Sequence, residues 1–126
     1  MQAELIFDAR NGVGESPVWS AREQALYWVD IPAGRLHRWS AADEHVSSWQ
    51  SDEMIGCVAR NANGQGWIAG QESGVFELRP QDDGRLAATR LAAVEHAAPG
   101  MRFNDGRCDR QGRLWLGSML MDMAAG

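Results

Sequence analysis

A chain of 126 residues is long enough for one domain with a modest core, and its hydrophobic content of 44% is ordinary for a globular protein. The formal net charge of -5 argues against a basic surface that would bind nucleic acid. The sequence contains neither an apolar run near the roughly 20 residues that a membrane span needs nor the pattern of a secretion signal. We therefore predict one cytoplasmic domain over residues 1–126, with neither nucleic acid nor a membrane as a partner.

Short strand-like runs separated by turn residues recur from the start of the chain, and no window of a dozen residues has helical periodicity. These runs cover residues 5–7, 17–19, 26–29, 36–39 and 46–49. Four tryptophans within them, at positions 19, 28, 39 and 49, fall 9, 11 and 10 residues apart. This is the strand-turn-strand rhythm of an all-β chain.

Three similar apolar strands, each preceded by a polar turn, form a longer repeat. They start at Tyr27, Trp67 and Leu114, which are 40 and then 47 residues apart, and Gly34 and Gly74 in the first two units are also 40 apart. A unit of this length with about four strands is typical of a β-propeller blade. The chain would hold two complete blades and half of a third, fewer than the roughly four that a closed propeller needs. We therefore expect self-association through exposed blade edges.

Three polar residues crowd together just before the third of these strands, namely Arg102, Asn104 and Asp105. Asn-Asp-Gly is a good turn sequence, so the cluster could stabilise a turn. It could instead face a bound ligand. We favour ligand binding for Arg102 and Asn104 and a turn-bracing role for Asp105.

Other residues that could carry chemistry are better explained by structure. Cys57 and Cys108 lie in predicted strands without C-x-x-C spacing, which favours buried thiols over a disulfide or a metal pair. The six tryptophans are expected in the core between blades rather than on a sugar-stacking platform. Asp30 and Asp109 are expected to make structural hydrogen bonds next to turns.

Four motifs, in this order and at compatible spacing, resemble the senescence marker protein/gluconolactonase/luciferin-regenerating enzyme family. They read GESPVW at 14–19, LYWVDI at 26–31, RFNDG at 102–106 and D-x-x-GRLW-x-GSM at 109–119. The resemblance extends from about Glu4 to Met123. It implies a six-bladed β-propeller of four-stranded antiparallel sheets, of which this chain would supply about two and a half blades.

The resemblance also implies hydrolysis of sugar lactones with one divalent metal ion, for which oxygen ligands suit Ca²⁺, Mg²⁺ or Mn²⁺ and also admit Zn²⁺. It makes Glu15 a metal ligand and makes Arg102 and Asn104 substrate-binding residues. Asp122 is the nearest candidate for a further carboxylate that contacts the substrate. The family's other metal ligands, an Asn and an Asp that is also the proposed general base, lie in later blades to which no residue here corresponds. We therefore assign no catalytic residue and expect a single copy to be inactive.

Three functions remain open on the sequence. The first is the N-terminal part of a metal-dependent sugar lactone hydrolase. The second is a non-catalytic half-propeller that acts as an oligomeric binding scaffold. The third is a propeller hydrolase of the paraoxonase or strictosidine-synthase kind, against which the motif at 102–106 weighs.

Overall fold

The computed structural model describes residues 1–124, and the regular elements in this part of the chain are ten strands. They are β1 (Gly14–Ser20), β2 (Ala25–Asp30), β3 (Arg35–Ser40), β4 (Val46–Gln50), β5 (Ile55–Arg60), β6 (Trp67–Gln71), β7 (Gly74–Pro80), β8 (Leu86–Ala93), β9 (Met101–Cys108) and β10 (Leu114–Leu120). Ala125 and Gly126, the end of the predicted domain, lie outside the described residues. Nowhere in residues 1–124 is there a helix long and apolar enough to cross a membrane.

The strands form three antiparallel sheets in which neighbours in sequence are neighbours in space. Two sheets have four strands, in the orders β1-β2-β3-β4 and β5-β6-β7-β8, and the third pairs β9 with β10. The first strands of the sheets, β1, β5 and β9, lie side by side. The prediction of two complete blades and half of a third is therefore confirmed, and the chain is a partial β-propeller.

The core lies between the first two sheets, because alternate residues of each strand point to the same face. On β2, Ala25, Tyr27 and Val29 are buried, and the Tyr27 ring lies 4.5 Å from the ring of Trp67 on β6. Arg60 stacks over Trp67 at 4.7 Å and forms an ion pair with Glu23 at 3.0 Å. The guanidinium therefore closes one end of the core while its charge remains paired.

The second and third sheets approach each other closely because glycines face one another at their contact. A Cβ atom at Gly70 would lie 3.0 Å from the Cβ atom of Phe103, and one at Gly106 would lie 2.8 Å from the Sγ atom of Cys57. Leu116 of β10 fills the space above these glycines. The small residues thus set the distance between β5 and β9, which carries the residues of the candidate site.

Two of the predicted features were wrong. Residues 5–7 are not a strand, and Leu5, Ile6 and Phe7 are exposed, because no strand of the described part pairs with them. The tryptophans do not all lie in the core either. Trp67 is fully buried, but Trp19 and Trp115 are 49% and 63% exposed, because they lie on sheet faces that the other described blades do not cover.

The cysteines and the two aspartates next to turns divide differently. Both cysteines are free thiols, but only Cys57 is buried, which raises the pKa of its thiol, whereas Cys108 is exposed on β9. The prediction of two buried thiols is therefore wrong for Cys108. Asp30 accepts hydrogen bonds from the backbone N–H groups of Gly12 and Val13, as expected of a structural residue.

Asp109 is also structural, and its hydrogen bonds predict a pH dependence. Its carboxylate accepts the Trp115 indole N–H at 3.0 Å, and backbone N–H groups of Gln111 and Arg113, which lowers its pKa from 3.8 to about 2. A lowered pKa means that the contribution to stability is complete above pH 3.8 and is lost as the pH falls through 2. We expect the melting temperature of Asp109→Asn to fall less steeply between pH 4 and pH 2 than that of the wild type. Asp82→Asn, which removes an exposed carboxylate in another turn, should retain the wild-type slope.

Candidate functional site

The three adjacent first strands carry the residues that the sequence singled out. Glu15 lies on β1 and is exposed. The pairing of β1 with β2 shifts by one residue between Glu15 and Val18, which is a β-bulge. Ser16, inside this bulge, has a φ of 54°, a left-handed conformation that is uncommon for serine. The bulge interrupts the strand alternation immediately after Glu15 and so sets where its carboxylate lies.

The Ser16 hydroxyl holds this bulge against the second sheet. Its oxygen accepts a hydrogen bond from the Val58 N–H at 3.0 Å and lies 3.4 Å from the Val58 carbonyl oxygen, to which it donates. A hydroxyl that both donates and accepts satisfies two backbone groups of β5 at once. The position of Glu15 is therefore fixed relative to β5 as well as to β2.

Ser16→Ala removes this connection, and we expect it to lower the free energy of unfolding by about 1–2 kcal/mol, because a partly buried N–H group loses its acceptor. The measurement is chemical denaturation of the purified variant. Ser47→Ala, a substitution in β4 away from the bulge, is the control and should stay within about 0.5 kcal/mol of the wild type. Equal stability of Ser16→Ala and the control would contradict the proposed role of the hydroxyl.

Arg102 and Asn104 lie together on β9. The guanidinium Nη1 atom donates hydrogen bonds to the Phe103 carbonyl oxygen at 2.9 Å and to the Asn104 Oδ1 atom at 3.1 Å. Arg102 is 9% exposed, and its pKa is lowered because burial disfavours the charged form, while the nearby charge of Glu72 acts in the opposite direction. The pair thus presents one oriented set of donors and acceptors rather than two independent side chains.

The segment at 104–106 is not a turn, so that alternative is wrong. These residues lie within β9, where the pairing with β10 shifts between Phe103 and Gly106. Asp105 is exposed in this bulge, and its Oδ1 atom accepts the Gly106 N–H at 2.8 Å. The bulges of β1 and β9 therefore disrupt the ladder at the strands that carry Glu15 and Asn104.

An open cavity of about 350 Å³ lies along β1, β5 and β9. Its lining combines two carboxylates, two guanidinium groups and one thiol with small and apolar residues: Glu15, Ser16, Pro17, Val18, Val58, Ala59, Arg60, Asp105, Gly106, Arg107 and Cys108. The structure therefore brings Glu15 and Asp105 to one cavity. Arg102 and Asn104 are adjacent to this lining in sequence but are not part of it.

Asp122 is placed apart from this lining. It follows β10, is exposed, and its Oδ1 atom accepts the Ala124 N–H at 3.1 Å. Sequence reasoning missed Asp105 and Cys108 as cavity residues. The bulge at Asp105 leaves its signal in the sequence as a turn-like Asn-Asp-Gly within a strand, which local propensity alone assigns to a turn.

The oxygen donors of the cavity suit a hard divalent cation, but they are few. Glu15 is an exposed carboxylate at the cavity, and carboxylate oxygens are ligands that Ca²⁺, Mg²⁺ and Mn²⁺ prefer. Within residues 1–124, however, no three Asp, Glu, His or Cys side chains come together in a group that could hold a metal ion. The described residues therefore fit part of a metal site.

Comparison with known families decides the classification. The model of the SMP-30/Gluconolactonase/LRE-like region matches residues 13–126. The chain belongs to this family. Among its relatives, 6-deoxy-6-sulfogluconolactonase of Pseudomonas putida is 47% identical over 85% of this chain and 35% of the relative. L-arabinolactonase of Azospirillum brasilense is 36% identical over 92% and 37%, and regucalcin of Danio rerio is 34% identical over 98% and 40%.

Solved structures agree with the fold. A luciferin-regenerating enzyme superimposes with a TM-score of 0.80 at 26% identity, covering 89% of this chain and 38% of that chain. Regucalcin of Agrobacterium tumefaciens, described as a calcium-binding protein, gives a TM-score of 0.77 at 25% identity, covering 88% and 36%. The family resemblance predicted from the motifs is therefore confirmed. The chain spans about 35–40% of the length of these curated relatives.

Proposed function

We propose that this chain forms the N-terminal part of a divalent-metal-dependent hydrolase of sugar lactones. The observation that carries this proposal is the position of Glu15 and of the Arg102–Asn104 pair on the adjacent first strands of a family propeller. Relatives named as lactonases support the reaction class. A calcium-binding relative supports a divalent ion, for which we propose Ca²⁺, Mg²⁺, Mn²⁺ or Zn²⁺.

The residues of this chain would bind and orient the substrate. Glu15 would contribute one carboxylate to the metal ion, which when bound supplies a positive charge that polarises the lactone carbonyl. Arg102 would donate hydrogen bonds from the guanidinium atoms that Phe103 and Asn104 do not occupy. Asn104 would pair with sugar hydroxyls, since an amide both donates and accepts. Asp122 would add a further hydrogen-bond acceptor from the segment after β10.

We also propose that one copy alone does not turn over substrate. Glu15 is one charged ligand, and neither Arg102 nor Asn104 is a suitable base for the attacking water, because guanidinium stays protonated and an amide is not basic. Other oxygen ligands and a general base would have to complete the site. The rest of the proposed setting is a cytoplasmic protein that binds neither nucleic acid nor membrane.

A non-catalytic scaffold is the second candidate, and the third sheet favours it. Trp115 on β10 is 63% exposed and Met121 and Met123 follow it as exposed apolar side chains. Apolar surface on a blade face is ordinarily covered by the next blade. This surface supports self-association through the exposed blade edges, with or without catalysis.

One experiment separates the two candidates. The chain, loaded with Ca²⁺ or Mn²⁺, is measured by size-exclusion chromatography with light scattering, and hydrolysis of glucono-δ-lactone is followed on the same fractions. A discrete oligomer whose hydrolysis disappears in Glu15→Gln would support the hydrolase. A discrete oligomer without hydrolysis and without metal would favour the scaffold. An inactive monomer would contradict self-association.

A further inference from the structure

The charge that faces Arg102 comes from the second sheet. Arg102 is a buried cation whose recorded hydrogen bonds go to a carbonyl and an amide oxygen, both of them uncharged. Glu72, at the corner between β6 and β7, is the carboxylate whose charge raises the pKa of this guanidinium against the effect of burial. A buried guanidinium without a carboxylate in direct contact retains strong affinity for an external anion.

Glu72 is held at both ends. Its Oε2 atom accepts the Met54 N–H at 2.9 Å, and its backbone carbonyl oxygen lies 2.8 Å from the Nε2 atom of His96. The His96 ring packs edge-on against the ring of Phe103, with 5.4 Å between the ring centres. Phe103 directly follows Arg102 and packs against Gly70. The corner that carries Glu72 is therefore fixed beside the start of β9.

Lactone hydrolysis changes the charge of the ligand at this place. Water adds to the carbonyl carbon, the ring C–O bond breaks, the ring oxygen takes up a proton and becomes a hydroxyl, and the new carboxylic acid releases a proton to solvent. A neutral lactone thus becomes an anionic sugar acid. A guanidinium binds a carboxylate through two parallel, charge-assisted hydrogen bonds, more strongly than a neutral oxygen. An unopposed Arg102 would therefore hold the product more tightly than the substrate.

We propose that Glu72 lowers the affinity of the Arg102 site for the anionic sugar acid formed by lactone opening, and thereby favours release of the product. The inference rests on the proposed function. The negative charge of Glu72 repels a carboxylate at Arg102, but it has little effect on a neutral sugar. Its fixed position makes the repulsion a property of the site rather than of a mobile side chain.

The test compares a charged and an uncharged ligand on the full chain by NMR titration, using D-gluconate and the uncharged polyol D-glucitol as probes. In Glu72→Gln, which keeps an oxygen acceptor for the Met54 N–H, we expect gluconate to bind about five- to tenfold more tightly, because one nearby negative charge is removed. Glucitol binding should change less than about twofold, because it carries no charge. Glu72→Asp keeps the charge and should retain the wild-type preference.

Glu95→Gln is the matched control, because it removes an exposed carboxylate next to His96. It should leave both dissociation constants unchanged. Equal changes for gluconate and glucitol in Glu72→Gln, or no change for gluconate, would overturn the proposal and leave Glu72 a structural residue. If the wild-type chain binds neither ligand, the proposed function fails and this inference fails with it.

Discussion

Replacing Glu15 by Gln is expected to weaken divalent-cation binding to this chain at least about tenfold, because an amide oxygen replaces the charged ligand of a hard cation. Mn²⁺ is the suitable probe, since its paramagnetism broadens nearby NMR signals even when binding is weak. In the wild type we expect broadening centred on Glu15 and Ser16 that extends to Asp105 and Gly106, which line the same cavity. In Glu15→Gln this selective broadening should require at least about ten times more Mn²⁺.

The control is Glu4→Gln, which removes an exposed carboxylate from the segment before β1 and should leave the broadening pattern unchanged. Both variants change the net charge equally, so a general electrostatic effect would appear in both. Identical Mn²⁺ titrations of the wild type and Glu15→Gln would exclude Glu15 as a metal ligand. An altered fold of Glu15→Gln would show as shifted signals throughout the chain without Mn²⁺.

Gly56→Ala is expected to lower the free energy of unfolding by about 3 kcal/mol, because the added methyl group has no space. A Cβ atom at Gly56 would overlap the Phe103 carbonyl oxygen and lie 2.7 Å from that of Asn104. Both obstacles are backbone atoms of β9, so the second and third sheets would have to separate. For a domain of this size the melting temperature should fall by about 12 °C.

Gly117→Ala is the matched control, because the nearest atom to its added Cβ is the Asp105 carbonyl oxygen at 3.8 Å, an ordinary contact. It should change the free energy of unfolding by less than about 1 kcal/mol. Equal stability of the two variants would contradict the close approach of β5 and β9. Since Arg102 donates a hydrogen bond to the Phe103 carbonyl oxygen, Gly56→Ala should also shift the Arg102 side-chain signals, whereas Gly117→Ala should not.

The strands and their repeat could be predicted because both depend on local pattern. Alternation in β2 and turn residues such as Gly34, with its φ of 62°, are set by neighbours in sequence. The strand predicted over residues 5–7 failed for the opposite reason. A run of apolar residues favours a strand, but a strand requires a hydrogen-bonding partner, and the described sheets supply none to these residues.

The motifs that identified the family also selected Glu15, Arg102, Asn104 and Asp122, whose proposed roles remain predictions. Sequence reasoning assigned Asp105 to a turn because Asn-Asp-Gly is a turn sequence by local propensity. The pairing with β10 overrides that propensity and makes the segment a bulge. A bulge depends on the register between two strands, which single-residue preferences do not record.

The sequence by itself determined the all-β class, the blade repeat and the family, because periodicity, turn chemistry and motif spacing are properties of neighbouring residues. Only the tertiary structure decided which side chains share a cavity and which are covered. It placed Asp105 opposite Glu15 across three strands, exposed Cys108 and Trp115, and set Glu72 near Arg102. These outcomes depend on how far apart whole sheets pack, and glycines at positions 56, 70 and 106 set that distance through contacts with residues distant in sequence.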